Sequence, residues 1–409
     1  MRSCTRTTFP TTTLNRHRAV ETAGRWLTRV GAWSLPEVGV IFGGPSPEHD
    51  VSILTGLQAA RELASTADVS VRGLFWSKSG DWYAVDPDLE GPDFLDGPPK
   101  GAIQLQFVLG RGGGFTSADR RMGRARALGL DVVLVCCHGG PGEDGSLQAA
   151  LDLAGIRYAG PSVAGAALGM DKLAFGAVVE SAGLPTLPRR LLVAGMSEVG
   201  FPGPYIVKPR FGGSSIGIEV VEDLGTALTL LDSSVHLSNG AIVEPYRPDL
   251  FDLQIAARSW PDLQLSAIER PLRKSGASSG REPEILGYRD KYSGGEGMVS
   301  APRELPAHLP SELEHQIRDA ALRLAPLSGL RGVARIDFLS EGSELWVNEL
   351  NTIPGSLARY LWIDPPVAFK ELLTDLLAEA ESRPSRALLS TGADGLILQS
   401  ALSIAAKLA

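Results

Sequence analysis

Two short apolar runs, each ending at a pair of glycines, constrain the architecture of this chain more than any other feature. Val38-Gly-Val-Ile-Phe42 ends at Gly43-Gly44, and a second run over 131–137, built round Val132-Val-Leu-Val135, ends at His138-Gly139-Gly140. Runs of this length suit strands buried on both faces, and glycine permits the tight turn that follows a strand end. A helical pattern starts at about Val51, and residues 69–76 read as another strand. Strands alternating with helices in this way predict an open, mainly parallel α/β sheet over about 38–165. Residues 77–128, rich in Gly, Pro and Asp, read as an irregular excursion with little core of its own.

Beyond 166 the texture changes. A helix over 171–182 is followed by strands at 205–208, 218–221 and 241–244, which surround the glycine-rich loop Phe211-Gly-Gly-Ser-Ser-Ile-Gly217. This predicts a small α+β lid. Further strands follow at 253–257, 264–268, 333–339 and 345–350, with helices over about 311–325 and 371–380. The chain therefore divides into an extension (1–37), an α/β domain (38–165), a lid domain (166–245), a catalytic α+β domain (246–385) and a tail (386–409). The first 36 residues hold six arginines and one acid, Glu21. That bias resembles a transit peptide, but no apolar helical face accompanies it, so it reads as an extension upstream of the domain.

A net charge of −8 argues against nucleic acid as a partner, because phosphate backbones are bound by clustered basic surface. No apolar run of about 20 residues is present to cross a membrane. The cysteines are Cys4, Cys136 and Cys137. The last two are neighbours on one strand, point to opposite faces and read as core residues, which suits a reducing cytoplasm.

The chemistry begins with the acids. Arg335-Ile-Asp337 lies on one expected strand and Asn348-Glu349-Leu-Asn351 ends the next. Residues i and i+2 of a strand share a face, so Arg335 joins Asp337 and Glu349 joins Asn351. If the strands pair, three oxygen ligands and one cation converge, a donor set suited to Mg²⁺ bridging substrate phosphates. Any one of these acids alone would read as a solvated strand-end residue. Lys208 ends a strand directly before the glycine-rich loop, whose amides and Ser214 and Ser215 hydroxyls can approach an anion. No Gly-Lys-Ser/Thr opens a helix here, so this is not a P-loop.

The chain as a whole resembles the D-alanine–D-alanine ligase family of the ATP-grasp superfamily. Phe42-Gly-Gly-Pro-Ser-Pro-Glu-His-Asp-Val-Ser52 looks like the family's opening motif, and His138-Gly-Gly-Pro-Gly-Glu-Asp-Gly-Ser-Leu-Gln148 its second. Met170-Asp-Lys172, Ile206-Val-Lys-Pro209 with Gly213-Ser-Ser215, Lys291-Tyr292, Arg335-Ile-Asp337 and Glu349-Leu-Asn-Thr-Ile-Pro-Gly355 follow in the family's order. The resemblance implies an ATP-grasp fold and ATP-dependent ligation of two amino acids through an acyl phosphate. Asp337, Glu349 and Asn351 would hold two Mg²⁺ ions, with Mn²⁺ able to stand in. Lys172, Lys208, Lys291 and Ser215 would take the ATP phosphates, Glu244 and Tyr246 would border the adenine, and Asp252 would take the ribose. Arg335 and the Gly355 N–H would stabilise the oxyanion. Glu48, Asp50, His138, Ser214 and Tyr292 would position substrate. The stretch 287–302, with glycines round Lys291-Tyr292, reads as a second lid. The resemblance also implies small-molecule amino-acid substrates and a homodimer.

Two departures concern the substrates. The family has a glutamate at the place read as Asp50, anchoring the first substrate's ammonium; aspartate is one methylene shorter. The family also has a serine where Tyr360 stands, helping to hold the second substrate's carboxylate, while Leu361 is family-like. Ser356 and Arg359 are alternative donors. Tyr292, absent from relatives that make esters, implies an amine nucleophile. The main expectation is a cell-wall D-alanyl-D-alanine ligase. The alternatives are the same chemistry with a changed second substrate in specialised metabolism, and a non-catalytic nucleotide-binding relative, against which the intact acid set argues.

Overall fold

The computed structural model describes residues 35–110, 112–117, 126–272, 302–383, 390–400 and 404. Strand β1 (Glu37–Gly43) takes the centre of the first sheet because Val38, Val40, Ile41 and Phe42 are all buried. It pairs in parallel with β2 (Ser70–Trp76) on one side. Residues 77–117 then add three antiparallel strands, β3 (Trp82–Val85), β4 (Ile103–Val108) and β5 (Gly114–Ser117). On its other side β1 pairs in parallel with β6 (Val132–Val135), and β6 with β7 (Tyr158–Ala159), giving the order β5-β4-β3-β2-β1-β6-β7. The central strands are parallel as expected and the outer ones are not. The stretch read as a coreless excursion is an aromatic meander: Trp82 stacks on Trp76 at 4.7 Å and meets Phe115 edge-on at 5.1 Å. Its Gly and Pro residues mark turns between short strands.

Helix α1 (His49–Ala64) lies on β1, burying Ile53, Leu57, Ala60 and Leu63. Gly56 allows the close approach, since a Cβ there would stand 2.4 Å from the Cβ of Phe42. Helix α2 (Ser146–Ala154) follows β6. Helices α3 (Val163–Met170) and α4 (Lys172–Ser181) are joined at Asp171, whose carboxylate caps α4 by accepting from the Leu173 and Ala174 N–H groups.

The lid is a four-stranded antiparallel sheet of β8 (Arg190–Leu192), β9 (Tyr205–Pro209), β10 (Glu219–Val221) and β11 (Ala241–Pro245), in the order β10-β9-β11-β8. Helix α5 (Leu224–Ser233) packs on it, capped by Asp223. The third sheet contains β12 (Phe251–Arg258), β13 (Gln264–Pro271), β14 (Arg303–Glu304), β15 (Val333–Ser340) and β16 (Leu345–Asn351) in the order β14-β13-β12-β15-β16. Helix α6 (Ser311–Leu327) covers one face: Ile336, Phe338, Val347 and Leu350 share a buried cluster with Ile317, Ala321 and Leu324. Each such side chain contributes about 1.5–3 kcal/mol by burial. The alternate residues Arg335 and Asp337 face the other way. Helix α7 (Phe369–Ser382) packs Leu372, Leu373, Leu376 and Leu377 into the same cluster as β1 and β6, tying the first sheet to the rest. Cys136 and Cys137 are buried free thiols. Among the described residues no helix is long and apolar enough to cross a membrane.

Gly56→Ala forces its new Cβ into Phe42 across the α1–β1 contact. It should lower unfolding free energy by about 1–3 kcal/mol in a urea titration, and an unchanged midpoint would show that helix and strand separate freely.

Candidate active site

The antiparallel register of β15 and β16 pairs Arg335 with Asn351 and Asp337 with Glu349. A bulge follows, because Phe338 pairs with Val347 and Asn348 has no opposite number. Val347 and Leu350 thus both stay in the core while Asn348 and Glu349 both turn outward. The row continues through Gln254 of β12, opposite Asp337, to Glu269 of β13. Arg335 closes on Asp337 with Nε–Oδ1 at 2.7 Å and Nη2–Oδ2 at 2.8 Å, and Asn351 Nδ2 donates to Asp337 Oδ2 at 3.2 Å. Binding a cation through both Asp337 and Asn351 therefore requires the amide of Asn351 to turn its oxygen inward.

A cleft opens between this sheet and the lid. Leu187, Ile206, Ile218, Leu250 and Leu339 line it with apolar surface, and Tyr246, Asp252, Lys172, Lys208, Ser214, Ser215, Asp337 and Glu349 line it with polar groups. Lys208 is buried on β9, its Nζ 2.6 Å from Glu244 Oε2 and 3.5 Å from Asn348 Oδ1. Lys172, at the start of α4, donates to the Gly212 carbonyl of the loop. Burial lowers the pKa of its ammonium, and the charge of Glu349 opposes that shift. Glu244 is buried on β11 and stays below the usual carboxylate range, because Lys208 and Arg189 outweigh its burial. Apolar side chains together with two lysines and two carboxylates are a lining that fits a nucleotide triphosphate with Mg²⁺. Among the described residues no three His, Cys, Asp or Glu side chains gather into a cage of their own.

The substrate end corrects the expectation for Asp50. Asp50 is exposed in the first turn of α1 and pairs with Lys78 at 3.3 Å, away from the cleft. Glu48, at the N-cap position, is buried instead and accepts the hydroxyl of Ser214 from the lid loop. Two residues along the start of a helix is more than half a turn, so only one of the two acids can face inward. No shortened carboxylate therefore replaces a glutamate here. Gly139 and Gly213 flank Glu48 with bare backbone: a Cβ on Gly139 would stand 2.4 Å from Glu48 Oε2, and one on Gly213 2.8 Å. Ser214 and Ser215 hold left-handed backbone (φ 52° and 60°), a conformation costing about 1–2 kcal/mol per residue.

His138 is buried, with Nε2 2.8 Å from Thr55 Oγ1 and its ring also bonded to the Ile353 backbone. Burial lowers its pKa to about 4, so the ring is neutral at pH 7. Thr55 in turn accepts the Ser356 N–H at 3.1 Å. Glu143 accepts the N–H groups of Gly139 and Ile353, and burial raises its carboxyl to about 7. These bonds fasten the turn after Gly355, where Ser356, Leu357 and Ala358 are all left-handed (φ 50–52°). Leu361 is buried in the core. Tyr360 follows the turn with its ring under Arg303 at 4.8 Å. Its hydroxyl is buried and faces Glu269 and Arg335, and burial raises its pKa. Arg359 stacks on Phe369, and the backbone N–H of Ser356 donates to Thr55. Lys291, Tyr292 and the loop read as a second lid lie outside the described residues.

Sequence reading missed Asn348, Thr55, Glu143, Glu269 and Arg189. The last is the most connected. It is buried, ion-paired through Nε to Glu244 Oε1 at 2.7 Å, and donates to the carbonyls of Lys172 (2.6 Å) and Asn348 (2.9 Å). No motif marks it; the signal was an arginine just before a short strand, which alone means little.

Residues 37–161 match the family model of the D-ala D-ala ligase N-terminus, and residues 166–378 that of the D-ala D-ala ligase C-terminus. The chain belongs to the D-alanine–D-alanine ligase family. The D-alanine–D-alanine ligase of Deinococcus radiodurans is 32% identical over 83% of this chain and 96% of its own length. That of Campylobacter lari is 30% identical over 80% of this chain and 89% of its own. The solved structure of D-alanyl-alanine synthetase A from Vibrio cholerae superposes with a TM-score of 0.70 at 22% identity, covering 85% of this chain and 99% of that one. The VanG D-Ala:D-Ser ligase of Enterococcus faecalis gives 0.67 at 24%, covering 85% and 100%. The fold is the ATP-grasp fold of these ligases.

A neutral buried His138 makes folding sensitive to acid. Its folded pKa lies below the unfolded value, so the stability it allows is complete above about pH 6.5 and is lost as pH falls towards 4. Replacing it by Asn should flatten the fall in unfolding free energy across that window by about 1–3 kcal/mol. Identical pH profiles for both proteins would mean that His138 titrates alike in the folded and unfolded chain.

Proposed function

We propose that this chain joins two D-alanine molecules into D-alanyl-D-alanine for peptidoglycan precursor synthesis, consuming ATP and releasing ADP and phosphate. The observation that carries this reading is the convergence, in a member of this ligase family, of Lys172, Lys208, Asp337 and Glu349 in one cleft, beside a Glu48–Ser214 pair. ATP bound there would activate the carboxylate as an acyl phosphate, and Mg²⁺ held with it would supply charge stabilisation for that transfer. Lys172, Lys208 and Lys291 neutralise the phosphates and Ser215 hydrogen-bonds to them, Glu244 and Tyr246 border the base, and Asp252 takes the ribose. Asp337, Glu349 and Asn351 complete the metal ligands.

Glu48 and Ser214 hold the first amino acid's ammonium, with Tyr292 completing the set and Asp50 taking no part. Neutral His138 keeps the Gly355 turn in place through Thr55. Arg335 and the Gly355 N–H face the oxyanion that forms when the second amine attacks, and preorganised donors there lower the barrier. A lid over the cleft excludes the water that would otherwise hydrolyse the acyl phosphate. The lid (166–245) and catalytic domain (246–385) wall the nucleotide cleft, and the α/β domain (38–165) supplies Glu48 beside it. A cytoplasmic homodimer is the assembly this reading carries with it.

One observation favours a second reading. Tyr360 is larger than the serine expected at the second-substrate pocket and stands against Glu269, Arg303 and Arg335, so the same chemistry with a changed second amino acid would suit it.

Phosphate release with Mg²⁺-ATP across D- and L-amino acids, with product masses, tests both readings. D-alanine alone should give strong turnover and a D-alanyl-D-alanine mass; activity only with a bulkier pair would replace the first reading by the second. Glu349→Gln should reduce phosphate release at least about 100-fold with an unchanged circular dichroism spectrum, and retained activity would relocate the metal site. Tyr360→Ser should lower the KM for D-alanine as second substrate, and an unchanged KM would remove Tyr360 from that pocket.

A further inference from the structure

We propose that Arg189 is a positioning residue of the nucleotide site, supplying the standing counter-charge to Glu244 so that Lys208 is free to leave that carboxylate for a phosphate. The inference rests on the reading that a nucleoside triphosphate occupies the cleft. Glu244 is almost wholly buried and holds two cations, Arg189 on Oε1 at 2.7 Å and Lys208 on Oε2 at 2.6 Å. Of the two cations, Lys208 lines the cleft and Arg189 lies behind it. Were Lys208 the sole partner, its move to a phosphate would strand a buried carboxylate, which is costly in free energy. With Arg189 fixed on the other oxygen, the move leaves one ion pair intact.

Arg189 is built to stay. Its guanidinium also donates to the carbonyls of Lys172 and Asn348, at 2.6 and 2.9 Å, so a single planar fork ties together α4, β11 and β16. Arginine can satisfy three directions while remaining charged, which lysine cannot. Its path is cleared by Gly176 in the middle of α4. A Cβ there would stand 2.9 Å from Arg189 Cδ and 3.2 Å from Nε and Nη1. The backbone at Gly176 is ordinary helix, where glycine costs about 1 kcal/mol relative to alanine, so its place there is steric.

The test is a double-mutant cycle read by binding of a fluorescent N-methylanthraniloyl-ATP in Mg²⁺, without amino acid. Arg189→Met should weaken binding at least about tenfold, and the steady-state KM for ATP should rise more than that for D-alanine. In the E244Q background, where no carboxylate remains to compensate, R189M should cost less than about threefold. Arg189→Lys, which keeps the charge without the fork, should restore most of the binding. If R189M does not fold, G176A displaces the guanidinium with every charge retained, and should weaken nucleotide binding in wild type but not beside E244Q. Wild-type affinity in R189M, or an equal loss with and without Glu244, would overturn the inference and leave Arg189 a structural staple. No nucleotide binding by the wild-type protein would overturn the nucleotide reading itself, and the inference with it.

Discussion

The site depends on the register between β15 and β16. Side chains alternate along a strand, so the pairing that puts Ile336 and Phe338 against α6 also turns Arg335 and Asp337 into the cleft. A slip of one residue would bury two charged groups beneath α6 and expose two large apolar ones, so the hydrophobic cluster enforces the position of the acids. The bulge at Asn348 refines this. Without it, Glu349 could not share the cleft with Asn348 while Val347 and Leu350 both remain in the core. Packing energy on one face of the sheet thus fixes polar geometry on the other.

What could be read from sequence follows from how local each feature is. The β15 and β16 alternation needs only neighbouring residues, and it was legible, as were the strand–glycine units round β1 and β6. The assignment of Asp50 failed because the rotation of α1 is set by contacts that sequence spacing does not reveal: His49 Nδ1 bonds the Gly44 carbonyl at 2.7 Å, and Gly56 lies on Phe42. Those contacts turn Glu48 inward and Asp50 out. Residues 77–128 were misread for a related reason. Their core comes from Trp82, Phe107 and Phe115, widely separated aromatics that meet only when the meander closes. Arg189 and Gly176 were invisible because their meaning lies in contacts between residues far apart in the chain.

Strain is distributed in a way that matches this division. The five non-glycine residues with left-handed backbone among those described are Ser214, Ser215, Ser356, Leu357 and Ala358. They occupy two turns, one in the lid loop and one after Gly355, which border the cleft from opposite domains. Both are held by side chains of the first domain: Glu48 takes the Ser214 hydroxyl and Thr55 takes the Ser356 amide. Helix α1 therefore supports both strained turns, although it contributes nothing to the nucleotide walls. Such conformations persist only where the surroundings over-determine them.

The polar row continues beyond Asp337 and Glu349. Glu269 is buried opposite Gln254, and burial raises its carboxyl against the opposing charge of Arg303, 3.1 Å away. The Tyr360 hydroxyl hydrogen-bonds within this group, to Glu269 and Arg335. Phenylalanine would fill the same space but leave the buried Glu269 carboxylate short of a partner, a loss worth roughly 1–3 kcal/mol. The packing that seats Tyr360 under Arg303 therefore also holds the polar row that carries Arg335 and Asp337.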